Sequence, residues 1–204
     1  MTRFRRGFNG HTGDLNSNRV GAMKRRGLLL DRDGVINVDR GYVGTREQFH
    51  FMSDVFPFLA TAQDRGYRLA ILTNQAGVAR GYYTAQDFEA LTEWMRQELS
   101  RNGIAIDLVL ACYEHPEGKV PSLRRESFWR KPNPGMVLDS VQRLNLDPAR
   151  SVFIGDQIRD MQAAQSAGIG ACLLMNDHIT EPLEGVTRVA DFSEALCAMP
   201  NPFA

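Results

Sequence analysis

Short apolar segments alternate with amphipathic segments along the chain from Gly27 onward. Apolar runs bounded by Gly, Pro or Asp are typical of buried strands, and apolar positions three or four residues apart are typical of helices. The predicted strands are Gly27–Leu30, 68–73, 106–113, 151–155 and 170–175, with 186–190 as a candidate sixth. The predicted helices are 54–65, one that starts after Thr84 and ends near Gly103, 134–144, 159–167 and a short one from Ser193.

Local signals mark the start and end of the second of these helices. Thr84 is a suitable N-cap, and Asp87 three residues later completes a variant capping box. Gly103 is a suitable C-terminal stop. One face of the helix carries four apolar side chains at helical spacing: Phe88, Leu91, Met95 and Leu99. The helix is therefore expected to bury that face in the core.

Strands and helices that alternate at this spacing predict an α/β fold, a Rossmann-like and mostly parallel sheet flanked by helices. Ligands of such sheets bind beyond the carboxyl ends of the strands. Polar residues follow three of the predicted strands, at residues 31–33, 73–75 and 155–156. We therefore expect these three segments to meet at one edge of the sheet.

The first 26 residues differ in composition from the rest. They contain seven Arg or Lys residues, a single acid, Asp14, and no apolar periodicity. We predict that residues 1–26 form a flexible basic arm and that residues 27–204 form the folded domain. A basic anchor for a partner or an acidic ligand is the functional alternative, and a simple upstream extension is the favoured interpretation.

The overall composition excludes several classes of protein. The 204 residues are 43% hydrophobic, which suits one globular domain, and the 24 basic residues balance the 24 acidic ones. Three cysteines make a disulfide framework improbable, and the apolar runs are shorter than the roughly 20 residues that cross a bilayer. We predict a cytoplasmic protein, a monomer that binds neither nucleic acid nor membrane.

Two carboxylates two residues apart follow the first strand. Asp31 and Asp33 offer hard oxygen ligands for Mg²⁺, and one of them could act as a nucleophile while the other transfers a proton. The alternative is an ordinary turn, in which Gly34 supplies the positive φ angle.

Three further segments offer groups for a phosphate or a metal. Thr73 and Asn74 could hold phosphate oxygens, or simply begin a polar loop. Lys131, one of three lysines, could clamp a phosphoryl group from the start of a helix, or be half of a solvated basic pair. Asp156 could ligate a metal and Asp160 could orient a neighbour, or both could stabilise a helix start as acids.

Together, the order and placement of these four segments resemble the haloacid dehalogenase (HAD) superfamily of phosphatases. The resemblance extends from about Gly27 to Leu196. It implies that Asp31 is the nucleophile and Asp33 the general acid and base. It also implies that Thr73 and Lys131 bind the phosphoryl oxygens. Asp156 would bind Mg²⁺ together with Asp31 and the main-chain carbonyl of Asp33.

Longer strings resemble one family within this superfamily, the D-glycero-D-manno-heptose 1,7-bisphosphate 7-phosphatases. They are LDRDGVIN at 30–37, GYV at 41–43, TNQAGVARG at 73–81, LTEWM at 91–95, RKPNPGM at 130–136 and DMQAA at 160–164. Related histidinol-phosphate phosphatases share much of this pattern. The resemblance implies that Arg130, beside Lys131, engages the substrate, and that the pathway is lipopolysaccharide or capsule synthesis.

One loop departs from the family pattern. The family usually has a zinc-binding Cys-x-His and Cys-x-Cys before the motif lysine, whereas this chain has Cys112, Glu114 and His115, followed by Ser127 and Trp129. Four nitrogen and sulfur ligands cannot be assembled from one Cys and one His, and a zinc site completed by Glu114 and water is the alternative to an empty one. We therefore expect no structural zinc, and we expect the altered loop 113–130 to influence substrate choice.

The spacing between the motifs leaves no room for a separate lid domain, so a fold without a cap domain is predicted. The function predicted is a Mg²⁺-dependent phosphatase of a small phosphorylated sugar that acts through an aspartyl phosphate, with heptose bisphosphate favoured. A histidinol-phosphate or other sugar-phosphate phosphatase is the alternative enzyme. A receiver-like module that binds Mg²⁺ and phosphate without turnover is an alternative of another class, and Asp33 argues against it because a second acid promotes turnover.

Overall fold

The fold was analysed in a computed structural model that describes residues 23–176, 178–179 and 182–200. Its strands are β1 (Gly27–Leu30), β2 (Arg68–Asn74), β3 (Leu108–Cys112), β4 (Val152–Gly155), β5 (Ala171–Leu174) and β6 (Val186–Arg188). Its helices are α1 (Val55–Asp64), α2 (Ala76–Arg80), α3 (Ala85–Arg101), α4 (Gly135–Arg143), α5 (Ile158–Ser166) and α6 (Phe192–Ala198). Two short 3₁₀ turns lie at Pro121–Leu123 and Pro148–Arg150.

The six strands form one parallel sheet in the order β3-β2-β1-β4-β5-β6. Both central strands are buried along their whole length, which explains why β1 is a continuous apolar run rather than an alternating one. The strand order changes direction at β1, whose neighbours are β2 on one side and β4 on the other. A crevice opens at such a point, beyond the carboxyl ends of the strands.

Two apolar cores lie against the two faces of the sheet, because successive side chains of a strand point to opposite faces. Leu28 and Leu30 pack into the core formed with residues of α1, α3 and α6. Leu29 packs into the other core, with Met136 of α4 and Met161 of α5. The sheet is therefore covered on both faces, as the α/β prediction requires.

The predicted fold class is confirmed, and the structure differs from the prediction at several boundaries. The third strand is shorter than predicted, at Leu108–Cys112, although Ile106 before it is buried. The five-residue helix α2 was not predicted; it ends at Gly81, whose φ of 73° is left-handed. The last helix begins at Phe192 with Asp191 as its N-cap, not at Ser193.

The predicted arm falls mostly outside the described residues, which begin at Met23. Within the described part, the Arg25 main chain is held on the domain: its N–H donates to the Asn145 carbonyl and its carbonyl accepts from the Asp147 N–H. The described fold thus begins two residues before β1.

One or two helices, loops and turns connect the strands, and the described residues contain no separate lid domain. None of the described helices is both long enough and apolar enough to span a membrane. The edge of the sheet beyond β1, β2 and β4 is therefore open, and the predicted site residues lie there.

Candidate active site

A cleft of about 410 Å³ lies at the carboxyl ends of β1, β2 and β4. Because these strands are parallel, the residues that follow each one meet at this edge, as the sequence predicted. The predicted residues that line the cleft are Asp31, Asp33, Thr73, Asn74, Arg130 and Asp156. Lys131 lies behind them and is 1% exposed.

Asp31 and Lys131 form a buried ion pair at the base of the cleft. Lys131 Nζ lies 2.9 Å from Asp31 Oδ1 and 2.7 Å from Asp160 Oδ1. Burial raises the pKa of Asp31 to about 7, against the opposing effect of Lys131. Burial alone would lower the pKa of Lys131, but Asp160 and Asp31 outweigh it and the pKa is raised, so this lysine stays charged.

Only one oxygen of Asp31 is engaged by neighbours among the described residues. Oδ1 accepts from the Arg32 N–H at 2.8 Å and faces Lys131. Oδ2 has no such partner within the described part of the chain. Two donors on one oxygen hold the carboxylate in a fixed orientation and leave the second oxygen for a ligand or a reacting atom.

Asn74, predicted to hold phosphate oxygens, binds the main chain of Lys131. Its side chain forms two hydrogen bonds with the Lys131 main chain: Nδ2 donates to the carbonyl at 2.9 Å, and the N–H donates to Oδ1 at 3.0 Å. Lys131 Nζ also donates to the Leu72 carbonyl at 2.7 Å. Asn74 therefore fixes the position of the lysine, and a direct phosphate contact from Asn74 remains a prediction.

Asp33 lies in a ring of donors. Arg32 donates to both of its oxygens, from Nε at 3.2 Å and from Nη2 at 2.9 Å. Asn37 Nδ2 and Gln75 Nε2 donate to it at 3.0 and 2.9 Å. The sequence placed Arg32 and Gln75 at this edge of the sheet without giving them a role, and Asn37 was missed. All three are buried polar residues directly beside motif positions, and this placement is the signal that could have identified them.

Gln75 also reaches the predicted phosphate ligand Thr73. Its Nε2 donates to Thr73 Oγ1 at 2.7 Å, so one amide group contacts both Thr73 and Asp33. Gln75 and Thr73 are 2% and 1% exposed, so little water competes for these bonds.

Three carboxylates lie close enough together to hold a metal ion. Oxygens of Asp31, Asp156 and Asp160 are all within 4.8 Å of one another. Asp156 Oδ1 is buried and receives no hydrogen bond from the part of the chain that the structure describes, and burial raises the pKa of Asp156 to about 6. An electron-rich cluster with an unsatisfied oxygen fits a hard divalent cation such as Mg²⁺.

The members of this cluster differ partly from the predicted set. Asp31 and Asp156 belong to it, and the third carboxylate is Asp160, which pairs with Lys131. The Asp33 side chain faces its ring of donors instead. The predicted contribution of Asp33 to the metal is its main-chain carbonyl, and that remains a prediction.

Two glycines allow these carboxylates to approach each other. A Cβ atom on Gly34 would lie 2.4 Å from Asp156 Oδ2, and the φ of Gly34 is +84°, which other residues rarely adopt. A Cβ atom on Gly155 would lie 2.4 Å from the Asp160 Cβ. The strand ends can hold the cluster only because both positions lack side chains.

Cationic side chains line the outer part of the cleft, at Arg80, Arg130 and Arg159, next to His115. Arg130 Nη1 is buried and has no hydrogen-bond partner among the described residues. Burial, with Arg159 and Arg80 nearby, lowers the pKa of Arg130. Arg80 pairs with Glu117 at 3.0 Å. This cationic rim is suited to an anionic group distant from Asp31.

The loop in which a zinc site was considered is held together by one carboxylate. Glu114 accepts hydrogen bonds from Ser127 Oγ and from the Arg125 guanidinium, and Cys112 Sγ lies 3.6 Å from it. Ser127 in turn accepts from the Trp129 N–H at 3.2 Å. The positions at which metal ligands were considered therefore contact one another through Glu114.

Comparisons with known proteins agree with this geometry. Residues 128–193 match the family model described as HAD-hydrolase-like. A D-glycero-alpha-D-manno-heptose-1,7-bisphosphate 7-phosphatase of Burkholderia mallei is 42% identical over 179 residues, 88% of this chain and 92% of that protein. A D-glycero-beta-D-manno-heptose-1,7-bisphosphate 7-phosphatase of Vibrio cholerae is 41% identical over 82% of this chain and 91% of its own.

Solved structures show the same architecture. A protein of Mesorhizobium loti described as a HAD-like phosphatase has a TM-score of 0.79 at 35% identity, over 89% of both chains. A D,D-heptose 1,7-bisphosphate phosphatase from B. bronchiseptica, complexed with magnesium and phosphate, has a TM-score of 0.74 at 27% identity. The match covers 98% of that chain and 84% of this chain. The chain is therefore a phosphoric monoester hydrolase that belongs, within the HAD-like phosphatases, to the family of D-glycero-D-manno-heptose-1,7-bisphosphate 7-phosphatases.

Proposed function

We propose that the protein hydrolyses the 7-phosphate of a D-glycero-D-manno-heptose 1,7-bisphosphate through an aspartyl phosphate, with Mg²⁺ as cofactor. The observation that carries the proposal is the fixed Asp31 carboxylate. One of its oxygens is held by Lys131 and the Arg32 N–H, and the other is left toward the cleft. Asp33 stands apart in its ring of donors, so the two acids can take different roles.

In the first step, the free oxygen of Asp31 attacks phosphorus. A bond forms between Asp31 and phosphorus, and the bond between phosphorus and the sugar oxygen breaks. Asp33 gives its proton to that oxygen, so the sugar leaves as an alcohol. Thr73 donates to a phosphoryl oxygen and helps to hold the group in line for the transfer. The three hydrogens of the Lys131 ammonium face Asp31, Asp160 and the Leu72 carbonyl, so Lys131 would contact a phosphoryl oxygen only in exchange for one of these acceptors.

In the second step, Asp33, now a carboxylate, takes a proton from water as the water oxygen attacks phosphorus. The bond between phosphorus and Asp31 breaks, and its electron pair returns to the Asp31 carboxylate. Inorganic phosphate leaves and Asp33 is protonated again. The cycle is balanced: one ester and one water give one alcohol and one phosphate.

Asp31 and Asp156 would hold Mg²⁺ with the Asp33 carbonyl, with Asp160 within reach, and there the ion would offset negative charge on the phosphoryl group. The heptose bisphosphate phosphatase of B. bronchiseptica was solved with magnesium and phosphate, which supports this assignment.

The cationic rim supports a substrate with a second phosphate. Arg130 has a buried guanidinium nitrogen without a partner, and a planar guanidinium can bind phosphate with two parallel hydrogen bonds. Histidinol phosphate carries an ammonium group instead, which the arginines would repel. The relatives named above act on opposite anomers, so this rim is also the region that would distinguish them.

The test is phosphate release in the presence of Mg²⁺ from both anomers of heptose 1,7-bisphosphate, from heptose 7-phosphate and from histidinol phosphate. We expect the bisphosphate to have the highest kcat/KM. Arg130→Ala should lower kcat/KM for the bisphosphate far more than for the monophosphate, because only the bisphosphate uses the distal contact.

Equal losses on both substrates, or a wild-type preference for histidinol phosphate, would contradict the heptose assignment and leave the phosphatase assignment intact. A stable aspartyl phosphate without turnover on any substrate would instead favour the receiver-like module.

A further inference from the structure

Tyr83 fills a slot next to the candidate active site. It lies in the turn between α2 and α3, and its ring is enclosed by two glycines. A Cβ atom on Gly44 or on Gly77 would lie 2.4 Å from a ring carbon of Tyr83. The ring is therefore held in one place, and its hydroxyl reaches Gln75 Oε1.

The direction of each hydrogen bond in this group follows from the chemistry of the donors. An amide oxygen only accepts, so Tyr83 donates to Gln75 Oε1. Burial raises the pKa of Tyr83 to about 12, which keeps that hydrogen in place at neutral pH. With Oε1 turned to Tyr83, Gln75 Nε2 faces Asp33 and Thr73 and donates to both, at 2.9 and 2.7 Å.

This orientation controls where the proton of Asp33 can go. Arg32, Asn37 and Gln75 each present a donor nitrogen to Asp33, so none of these contacts can accept its proton. If the Gln75 amide turned over, Oε1 would face Asp33 and accept that proton internally. With the amide held as it is, the protonated acid can donate only toward the cleft, where a leaving group lies.

The same amide also sets the direction of the Thr73 hydroxyl. Because Nε2 donates to Thr73 Oγ1, the oxygen acts as an acceptor on that side and its own hydrogen points elsewhere. Thr73 lines the cleft. Its hydrogen is thus available to a phosphoryl oxygen.

We propose that Tyr83 and Gln75 are positioning residues for the hydrolysis, and that Tyr83 fixes the Gln75 amide so that Asp33 donates its proton to the leaving group. This inference rests on the acid role given to Asp33 in the proposed function. It assigns a purpose to the hydroxyl of Tyr83, which the mechanism above does not otherwise use.

The test compares Tyr83→Phe with wild type on two esters. Tyr83→Phe keeps the ring between the two glycines and removes only the hydroxyl. One ester is heptose 1,7-bisphosphate, or whichever primary sugar phosphate the wild type hydrolyses fastest, and its alkoxide needs a proton to leave. The other is p-nitrophenyl phosphate, whose leaving group departs without one. The measured quantity is kcat/KM, which reports the first transfer.

We expect Tyr83→Phe to lower kcat/KM for the sugar phosphate about tenfold, the typical effect of one hydrogen bond, and to change it for p-nitrophenyl phosphate by less than about twofold. Tyr82→Phe is the matched control, because Tyr82 is the exposed neighbour and lies outside the cleft lining. It should leave both values unchanged. Gln75→Ala also removes the donor to Thr73, so it should lower kcat/KM for both esters, and more for the sugar phosphate than for p-nitrophenyl phosphate.

Equal losses on both esters would mean that Tyr83 only supports the fold, and would overturn the inference. A double variant with Asp33→Asn separates the two proposals. If Tyr83 acts through Asp33, Tyr83→Phe should have no further effect in a protein that already carries Asp33→Asn. An undiminished effect there would overturn the proposal that Tyr83 acts through Gln75 on Asp33. If Asp33→Asn alone kept the wild-type kcat/KM on the sugar phosphate, Asp33 would not be the acid. Both the proposed function of Asp33 and the positioning role of Tyr83 would then be overturned.

Discussion

The charge balance around Asp31 decides whether it can act as a nucleophile. Asp31, Asp156 and Asp160 are within 4.8 Å of one another, and Lys131 is the ammonium that contacts two of them. Three carboxylates and one ammonium leave two negative charges in a buried place, which burial disfavours. A divalent cation would neutralise this excess, and the ionised Asp31 that attack requires would then be favoured at neutral pH.

Asp31→Asn should abolish turnover and leave the fold intact. An amide is a poor nucleophile and a weaker metal ligand, so the barrier should rise by at least several kcal/mol, or about a thousandfold in rate. Lys131 keeps its partner Asp160 at 2.7 Å, so no unpaired buried charge is created. Phosphate release and the melting temperature are the measurements. Activity within tenfold of wild type would remove Asp31 from its role.

Asp156→Asn tests how much the ionised Asp156 carboxylate destabilises the folded protein. In the metal-free protein the pKa of Asp156 is about 6 when folded, compared with 3.8 for a free Asp. A raised pKa means that the folded state loses stability as the pH rises through this range, because ionisation costs more there than in the unfolded chain. Above about pH 6 the neutral Asn should therefore be more stable than the wild type by roughly 1–3 kcal/mol, and near pH 4 the two should be equal.

Urea unfolding in EDTA at about pH 4 and about pH 8 measures this difference. Adding Mg²⁺ at the higher pH should stabilise the wild type and not the variant, because ligand binding to the folded state adds to stability. The same stability difference at both pH values would contradict a buried, strained Asp156.

At the scale of single elements, the loop between β3 and α4 carries two of the predicted site residues. It supplies Arg130 to the cleft rim and Lys131 to Asp31. Arg130 N donates to the Ser127 carbonyl at 3.2 Å, and Ser127 Oγ donates to Glu114. Through Ser127, Glu114 is thus connected to Arg130, the residue that we propose binds the second phosphate.

The purified protein should contain far less than one zinc per chain, because Ser127 and Trp129 provide no thiolate and Glu114 already binds the loop. Elemental analysis measures this directly, and one tightly held zinc per chain would contradict it. Glu114→Ala should loosen the loop and lower kcat/KM for the bisphosphate several-fold, with little effect on p-nitrophenyl phosphate, which does not reach Arg130. Equal losses on both esters would place the effect of Glu114 elsewhere.

Periodicity and strand-end chemistry were sufficient to predict most elements and to place Asp31, Asp33, Thr73, Asn74 and Asp156 at the cleft, whereas Arg130 was predicted from the family resemblance. They act locally: an apolar run and the polar residue after it are adjacent in the sequence. The bond between Asn74 and Lys131 spans 57 residues and depends on the packed fold, so no local pattern indicated it. Helix α2 was missed because five residues are too few to show a helical period.

At the scale of the whole molecule, the described residues form one sheet with an open cleft at one edge. The residues of the site come from β1, β2, β4 and the loop before α4, all of which belong to this sheet or border it. The described domain thus contains every group used in the proposed mechanism. Selectivity must come from the cleft walls, since no lid closes over them within the described residues.

Deleting residues 1–22 should leave kcat and KM on heptose bisphosphate nearly unchanged. The segment has no apolar periodicity, and the described fold begins with Met23 and the Arg25 main-chain bonds. The melting temperature and the kinetic constants of the truncated protein are the measurements. A large decrease in either would show that the segment contacts the domain, as expected of the anchor alternative.

The position of β1 between β2 and β4 has a consequence for synthesis on the ribosome. The Gly27 N–H, at the start of the strand that carries the nucleophile, donates to Ser151 Oγ, 124 residues later. Translation at about 5–20 residues per second needs on the order of 10 s to cover that distance. Until β4 has been made, one edge of β1 has no partner strand, and the Asp160 that pairs with Lys131 is made later still. The active site is therefore among the last features to form, after nearly the whole domain has left the ribosome.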